Sequence, residues 1–227
     1  MVPRVAPHGV LTPLTWKVER SSGPASVFHS REMPAVIERS VWIHEVSAPA
    51  LVLGSAQRAD IVDTATIGSV EIVRRRSGGG AVLLIPGEVL WLDVLLARED
   101  PLWVDDIGKS SHWLGAVWVD ALGVGEVHHG SMIKTRWSSS ACFAGLGPGE
   151  VTVDGRKLVG ISQRRNRAGA RFQCAIYGSF DPARLPSLLG LSADERAAMS
   201  AELAPVVTSP ALLSELLVRF LAALDSV

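Results

Sequence analysis

Cysteine is scarce in this chain, with Cys142 and Cys174 the two present. They are too few for a disulfide scaffold and form no Cys-x-x-Cys motif. Neither sign of charge is in excess: 22 Lys and Arg against 23 Asp and Glu give a net charge of −1. A global basic field for nucleic acid is thereby excluded, and any anion recognition must be local. No run of about 18 apolar residues occurs, so no segment is expected to span a membrane. The opening MVPRVAPHGVLTPLTWK is broken by prolines and lacks the apolar stretch of a secretory leader. Internal repeats and low-complexity segments are missing too. The expected setting is a reducing cytoplasm.

What is present is enough for a core. Hydrophobic residues make up 48% and charged residues 20% of 227 positions, which suits one sizeable domain or one domain with a small appendage. Short apolar runs separated by Gly, Pro and Ser predict strands at Ser40–Val46, Ala50–Gly54, Glu71–Arg75, Ala81–Ile85 and after Pro86 to Leu96. A helical period over Asp105–Gly123 aligns Ile107, Leu114, Val117, Trp118 and Ala121, with Gly123 as its stop. Glu150–Gln163 reads as a hairpin turning at Asp154-Gly155, and Ala170–Asp181 reads as a last strand. From Pro182 the pattern turns helical, with Ser209-Pro210 as a start signal for a stripe of Leu212, Leu213, Leu216, Leu217, Phe220 and Leu224. Strands first and helices last predict an α+β fold. The division expected is a domain over residues 1–181 with a helical extension, 182–227, packed on it.

The densest positive charge, Arg74-Arg75-Arg76, runs directly into Ser77-Gly78-Gly79-Gly80-Ala81. Backbone N–H groups freed by glycine make a nest that can approach an anion, and arginine adds a charge that never titrates. By composition alone the stretch reads equally well as a flexible hairpin tip with solvated arginines. A second cluster, DGRKLVGISQRR, sets Lys157 two residues after a tight turn, where an ammonium can polarise a carbonyl or neutralise a phosphate. A lysine beside a hairpin turn is also commonly solvent-exposed and inert. Gly145–Gly149 is glycine-rich but lacks a strand-to-helix context and reads as a plain loop; His128-His129 lack companion ligands for a metal. Arg164, Arg165, Arg167 and Arg171 surround a hairpin tip and read as a solvated face, with docking of an acidic domain or a nucleotide as the alternative. Trp113 and Trp118 read as helix packing.

The two clusters together resemble the lipoate–protein ligase A family. RRRSGGGAV is similar to that family's Arg-Arg-x-Ser-Gly-Gly-Gly-Ala-Val signature, with Arg74 and Arg75 at the arginine positions. GRKLVGISQRR resembles its Gly-(Arg/Lys)-Lys-(Ile/Leu)-x-Gly-Ser-Ala-Gln segment, with Lys157 at the lysine and Gly160, Ser162 and Gln163 following. The resemblance implies a mixed sheet flanked by helices, as in the biotin/lipoate ligase catalytic domain. It further implies an enzyme that activates lipoate or octanoate with ATP and Mg2+ as an acyl-adenylate. The acyl group would then pass to a lysine of a lipoyl domain, either in an acyltransferase subunit or in a glycine-cleavage H-type protein. On that reading Arg74, Arg75, Ser77, Gly78, Gly79, Gly80, Ala81, Gly160, Ser162 and Gln163 bind substrate and nucleotide, and Lys157 holds the carboxyl and phosphate oxygens. Val82, Leu84, Trp91 and Val159 are candidate walls for the acyl tail, or plain core.

The chain also departs from the family. Val-Tyr-His-Asp is replaced after the glycines by Val82-Leu83-Leu84-Ile85, and Gln-His-Gly by Gln173-Cys174-Ala175, so the pocket histidines are missing and the acyl site is expected to be drier. With residues 182–227 following the catalytic segment, no separate accessory domain like that of the larger ligases is expected. Family members without it include octanoyltransferases, which take the acyl group from acyl-carrier protein on a thiol, and Cys142 stands where one such subfamily carries its catalytic cysteine, in a Cys-Phe sequence ahead of the lysine hairpin. Cys142 as a small buried hydrophobe is the alternative, as is a non-catalytic relative that only binds an acyl group or a lipoyl domain.

Overall fold

The computed structural model describes residues 16–227, so most of the opening segment examined for a leader lies outside the described residues. Alternating or continuous apolar runs became strands β2 (Ser40–Val46), β3 (Ala50–Leu53), β4 (Glu71–Arg74), β5 (Val82–Leu84) and β6 (Val89–Ala97). The later hairpins are β8 (Val151–Val153), β9 (Arg156–Arg165) and β10 (Gly169–Tyr177). Two further strands, β1 (Lys17–Gly23) and β7 (Glu126–Val127), have too little apolar alternation to be read from sequence, and they form the two edges of the large sheet. Asp154 and Gly155, with φ of 51° and 71°, make the expected turn between β8 and β9.

Two mixed sheets result. The larger runs β1-β2-β6-β10-β9-β8-β7, with β1 parallel to β2 and the remaining pairs antiparallel; the smaller runs β4-β3-β5, parallel on one side and antiparallel on the other. Helices α1 (Ala25–Ser30), α2 (His112–Leu122), α3 (Arg184–Ser187), α4 (Ala193–Glu202) and α5 (Leu213–Leu224) flank them, which is the expected α+β architecture. No helix among the described residues is long and apolar enough to cross a membrane.

Strand β6 is the centre of the core because it is apolar on both faces. Leu92, Val94 and Leu96 pack under α2 and α5, whose Trp118 and Phe220 rings stack at 4.0 Å between centroids. The opposite face carries Trp91 and Leu95 beneath α1 and the small sheet.

The helical period misplaced two boundaries. Helix α2 begins at His112, whereas residues 105–111 form turns and leave Ile107 65% exposed. Asp106 accepts from the Gly108 N–H at 2.8 Å and Ser110 donates to the Ile107 carbonyl, so short polar side chains satisfy the backbone locally and compete with the helix. Likewise Pro210–Leu212 is a 3₁₀ turn, Ser209 makes no side-chain cap bond, and Leu212 is exposed and off the stripe that Ala223 completes.

Arg171, read from sequence as part of a solvated face, is buried instead. Its guanidinium donates to Asp93 from Nε at 2.8 Å and Nη2 at 2.5 Å, and to the carbonyls of Phe28 and Arg31 at the end of α1. Asp93 also accepts from His44 Nε2 at 2.7 Å and Trp91 Nε1 at 3.2 Å. Burial alone would push the Asp93 carboxyl up, but His44 and Arg171 outweigh it and hold it below the usual carboxylate range. Consecutive β residues point to opposite faces, so an aspartate between Trp91-Leu92 and Val94 can bind Arg171 without breaking the core on the α2 side. The network fixes Trp91 and α1, both of which wall the site described next.

Truncation of Asp93 should leave the Arg171 guanidinium buried without its partner. The variant Asp93→Ala is expected to lose about 3–5 kcal/mol in urea unfolding. A loss below about 1 kcal/mol would show that the network contributes little to stability.

Candidate acyl-transfer site

The chain leaves β4 at Arg74 and returns as β5 through a loop that closes around its own arginine. Arg75 is 4% exposed, and its Nη2 donates to the carbonyls of Gly78 at 2.8 Å and Gly80 at 2.9 Å. Its Nη1 makes no hydrogen bond, and no carboxylate lies within ion-pair distance of it among the described residues. Arg74 projects the other way, is exposed, and braces residues 54–57 by donating to the Gly54 and Gln57 carbonyls. Arg76 pairs with Glu32 at the surface. Of the three arginines, the structure brings only Arg75 to the cavity walls.

Two glycines in this loop carry geometric demands. Gly79 adopts φ +100°, and a Cβ there would stand 2.9 Å from Arg75 Nη2 and 3.6 Å from Cys142 Sγ. At Gly80 a Cβ would meet the Ala141 backbone at 2.5 Å. That approach lets residues 81 and 141 pair in parallel: the Ala81 N–H donates to the Ser140 carbonyl at 2.8 Å and the Cys142 N–H to the Ala81 carbonyl at 2.9 Å. Gln57 secures the same crossing by donating to the Ser139 and Ser140 carbonyls. Cys142 is thus delivered beside the glycine loop by backbone pairing that the Gln57 side chain braces.

The β8–β9 hairpin supplies the opposite wall. Lys157 is 6% exposed, and its Nζ donates to the Cys142 carbonyl at 2.9 Å and pairs with Glu150 Oε2 at 2.7 Å. Glu150 also accepts from the N–H groups of Gly147 at 2.6 Å and Ile161 at 3.1 Å. Further along β9, Ser162 Oγ lies 3.1 Å from Ser77 Oγ, and Ser77 donates to Gln173 at 3.2 Å. Gly160 leaves space for the Phe143 ring, 3.1 Å from where its Cβ would be. Gln163 faces away: it donates to the Ile107 carbonyl and accepts from Ser110, anchoring the turn before α2. Val159 is wholly in the core and is absent from the walls of the two cavities that these elements enclose.

Two cavities meet at Cys142, Ile161 and Ser162. The narrower, about 50 Å³, is apolar along Val52, Val82, Leu84, Trp91 and Phe143, with Arg75 in its wall. The wider, about 740 Å³, is lined by Gly78, Gly79, Gly80, Arg58, Lys134 and Lys157, with Glu150 as its one acidic side chain. Gly145 and Gly147 of the glycine-rich loop also face it. An apolar channel opening into a cationic chamber can hold an acyl tail in one part and an anionic head in the other.

Three contributors escape local sequence pattern. His29 of α1 reaches the narrow cavity, stacks on Trp91 at 4.6 Å, and its Nδ1 lies 3.4 Å from Gln173 Nε2. An imidazole therefore lines the cavity even though the family's histidine positions are occupied by other residues. Burial is the main cause that pushes its pKa down to about 3, so the ring is neutral near pH 7. Glu150 and the Asp93 network are the others, joined to the site by contacts distant in sequence. His129 Nδ1 lies 3.2 Å from His112 Nδ1, but no group of three metal-type side chains converges among the described residues.

Comparison with known proteins follows the same lines. The family model described as "Lipoyl protein ligase A/B catalytic domain" matches residues 31–219. No curated protein matches the sequence. A solved lipoate-protein ligase A bound with ATP superposes with a TM-score of 0.66 at 16% identity, covering 92% of this chain and 85% of that one. A bi-partite lipoate protein ligase from Thermoplasma acidophilum, described together with its E2 lipoyl domain as part of an archaeal lipoylation system, gives 0.64 at 15% identity over 92% and 83%. Protein Ta0514 of the same organism, a lipoate protein ligase homologue with bound lipoic acid, gives 0.66 at 15% identity over 94% and 86%. At these identities the likeness is one of fold.

The loop geometry separates neighbouring glycines. Gly80→Ala must push the Ala141 backbone away and is expected to cost about 2–4 kcal/mol in thermal or chemical unfolding. Gly78→Ala meets nothing within 4 Å and should fold like wild type. Equal stability of the two variants would refute the close crossing. His29 makes a separate, pH-dependent contribution. Its folded-state pKa lies below the unfolded value of 6.5, so the unfolded chain binds the extra proton and stability falls as pH drops from about 6.5 towards 3. His29→Gln should flatten that part of the stability–pH curve, and an unchanged curve would exclude a partly buried ring held neutral by the fold.

Proposed function

We propose, since the chain belongs to the lipoyl protein ligase A/B catalytic-domain family, that it activates lipoate or octanoate with ATP as an acyl-adenylate and transfers the acyl group to a lysine of a lipoyl domain. The observation that carries this reading is Arg75, a buried guanidinium that has no acidic partner among the described residues and stands in the wall of an apolar channel. A buried charge without a counter-ion costs several kcal/mol, and an arriving anion offsets that cost. The free acid and the adenylate are both anions, whereas an acyl thioester is neutral at the reacting group.

In this reading the acyl tail occupies the channel along Val82, Leu84 and Trp91, and the carboxylate meets Arg75 Nη1. A carboxylate oxygen attacks the α-phosphorus of ATP, the bond to pyrophosphate breaks, and the nucleotide lies in the wide cavity among the loop glycines, Lys134 and Arg58. The acceptor lysine, as a free amine, then attacks the acyl carbonyl, and the bond to AMP breaks as the amide forms. Lys157 donates to the oxygen on which charge develops. On this reading magnesium enters as the MgATP substrate complex, because the one carboxylate lining the wide cavity among the described residues, Glu150, is already held by Lys157. Likeness to a ligase with bound ATP and to one with bound lipoic acid supports this choice of substrates. Likeness to an archaeal ligase described with its E2 lipoyl domain supports a lipoyl-domain acceptor, and a glycine-cleavage H-type protein is proposed as the alternative acceptor. The unpaired thiols suit a cytoplasmic setting.

A second reading is favoured by one observation: the Cys142 side chain lines both cavities at their junction. An octanoyltransferase would form a thioester on that sulfur from octanoyl-acyl-carrier protein and then acylate the same lysine without ATP.

Intact-mass measurement of an apo lipoyl domain separates the readings, using lipoate with MgATP, octanoate with MgATP, or octanoyl-carrier protein alone as donor. The ligase reading expects acylation only with ATP, near-normal activity for Cys142→Ser, and a loss of about 10²-fold for Lys157→Ala with the fold intact. Acylation from the carrier without ATP, lost in Cys142→Ser, would replace it with the transferase. No acylation from any donor would leave a protein that only binds.

A further inference from the structure

We infer that Glu150 is a positioning residue that sets the charge and aim of Lys157, matching the site to a ligand bearing one negative charge. This rests on the acyl-adenylate reading and deepens it. Glu150 has no place in the sequence motifs, yet its carboxylate is 5% exposed and held by three donors: the ammonium of Lys157 and the N–H groups of Gly147 and Ile161. Two main-chain donors fix its orientation, so the carboxylate cannot follow Lys157 out of the wall. The ammonium in turn has one N–H on Glu150 and one on the Cys142 carbonyl, 2.9 Å away. Its third N–H is left for the wide cavity that Lys157 lines.

The consequence is electrostatic. On either side of Cys142, Arg75 in the narrow cavity wall and Lys157 in the wide one are two buried positive charges and Glu150 is one buried negative charge, so among the buried groups a single positive charge is left over, the exposed Arg58 and Lys134 lying further out in the wide cavity. A carboxylate carries one negative charge. So does the phosphate of an acyl-adenylate, which has one ionised oxygen. A site balanced for one charge holds both without preferring the ground state, whereas a site with two uncompensated cations would bind the free acid more tightly than the reaction needs. Glu150 also prevents Lys157 from turning towards the entering carboxylate, keeping its free donor for the oxygen that becomes charged later.

The test is a double-mutant cycle with two readouts on the full chain. Octanoate binding is measured by calorimetry without ATP, and acyl transfer to a lipoyl domain is measured in single turnover with ATP. Glu150→Gln is expected to bind octanoate about fivefold more tightly, as one neighbouring charge is removed. It should also transfer about 10- to 100-fold more slowly, as Lys157 loses its aim. Because Glu150 acts through Lys157, the Glu150→Gln/Lys157→Met double variant should be no slower than Lys157→Met alone. Glu150→Asp keeps the net charge but withdraws the carboxylate, so it should leave octanoate affinity within about twofold and slow transfer. It tests the inference even if the glutamine variant does not fold. A merely structural glutamate would weaken binding and turnover together and multiply with Lys157→Met, and either result overturns the inference. If wild type ignores ATP while the binding pattern holds, the activation reading fails and the charge-setting role stands. If wild type uses ATP and the pattern fails, only the role of Glu150 falls.

Discussion

A buried guanidinium without a counter-ion is the constraint around which this site is built. Arg75 can stay charged inside the protein because its own loop turns back and offers the Gly78 and Gly80 carbonyls. That turn forces the conformation at Gly79 and the close passage at Gly80. The passage in turn lets residues 81 and 141 pair and brings Cys142 to the cavity junction. Carbonyl dipoles compensate only part of a full charge. The remainder faces an apolar channel, where an anion is the only partner that completes it.

Three buried cations show how the same chemistry is used for different ends. Arg171 is fully matched by Asp93 and ties α1 to β6, so its work is structural. Lys157 is matched by Glu150 but keeps a donor for the cavity, so it is charged and aimed without being an open anion site. Arg75 alone has no acid beside it among the described residues. Buried ion pairs add little to net stability, and losing one partner is what costs. Of these three buried cations, the one left without an acid among the described residues is the one in the wall of the narrow cavity.

Much of this was legible in the sequence, for physical reasons. Strands with one or both faces buried repeat their apolar residues at period two, and β2, β3, β6, β9 and β10 stood out accordingly. Edge strands β1 and β7 bury little and carry no such pattern. The turns at 105–111 imitated a helix because apolar spacing cannot register Asp106 and Ser110 bonding to their own backbone. Residues of both motifs line the two cavities, but the sequence pattern treats Arg74 and Arg75 alike. Strand geometry sends successive side chains to opposite faces, so one braces residues 54–57 from outside while the other enters the wall. Glu150, His29 and the Asp93–Arg171–His44 network come together only through tertiary pairing, which no local pattern encodes.

The central claim, that the uncompensated charge of Arg75 exists to receive an acid for activation, is tested most directly by exchange of labelled pyrophosphate into ATP. Adenylation is reversible, so the exchange reports that step alone, before any acceptor protein is involved. The account predicts exchange that requires octanoate or lipoate, persists in Cys142→Ser, and is lost in Arg75→Met that still folds. Absence of acid-dependent exchange in wild type, together with a thioester formed on Cys142 from octanoyl-carrier protein, would contradict it.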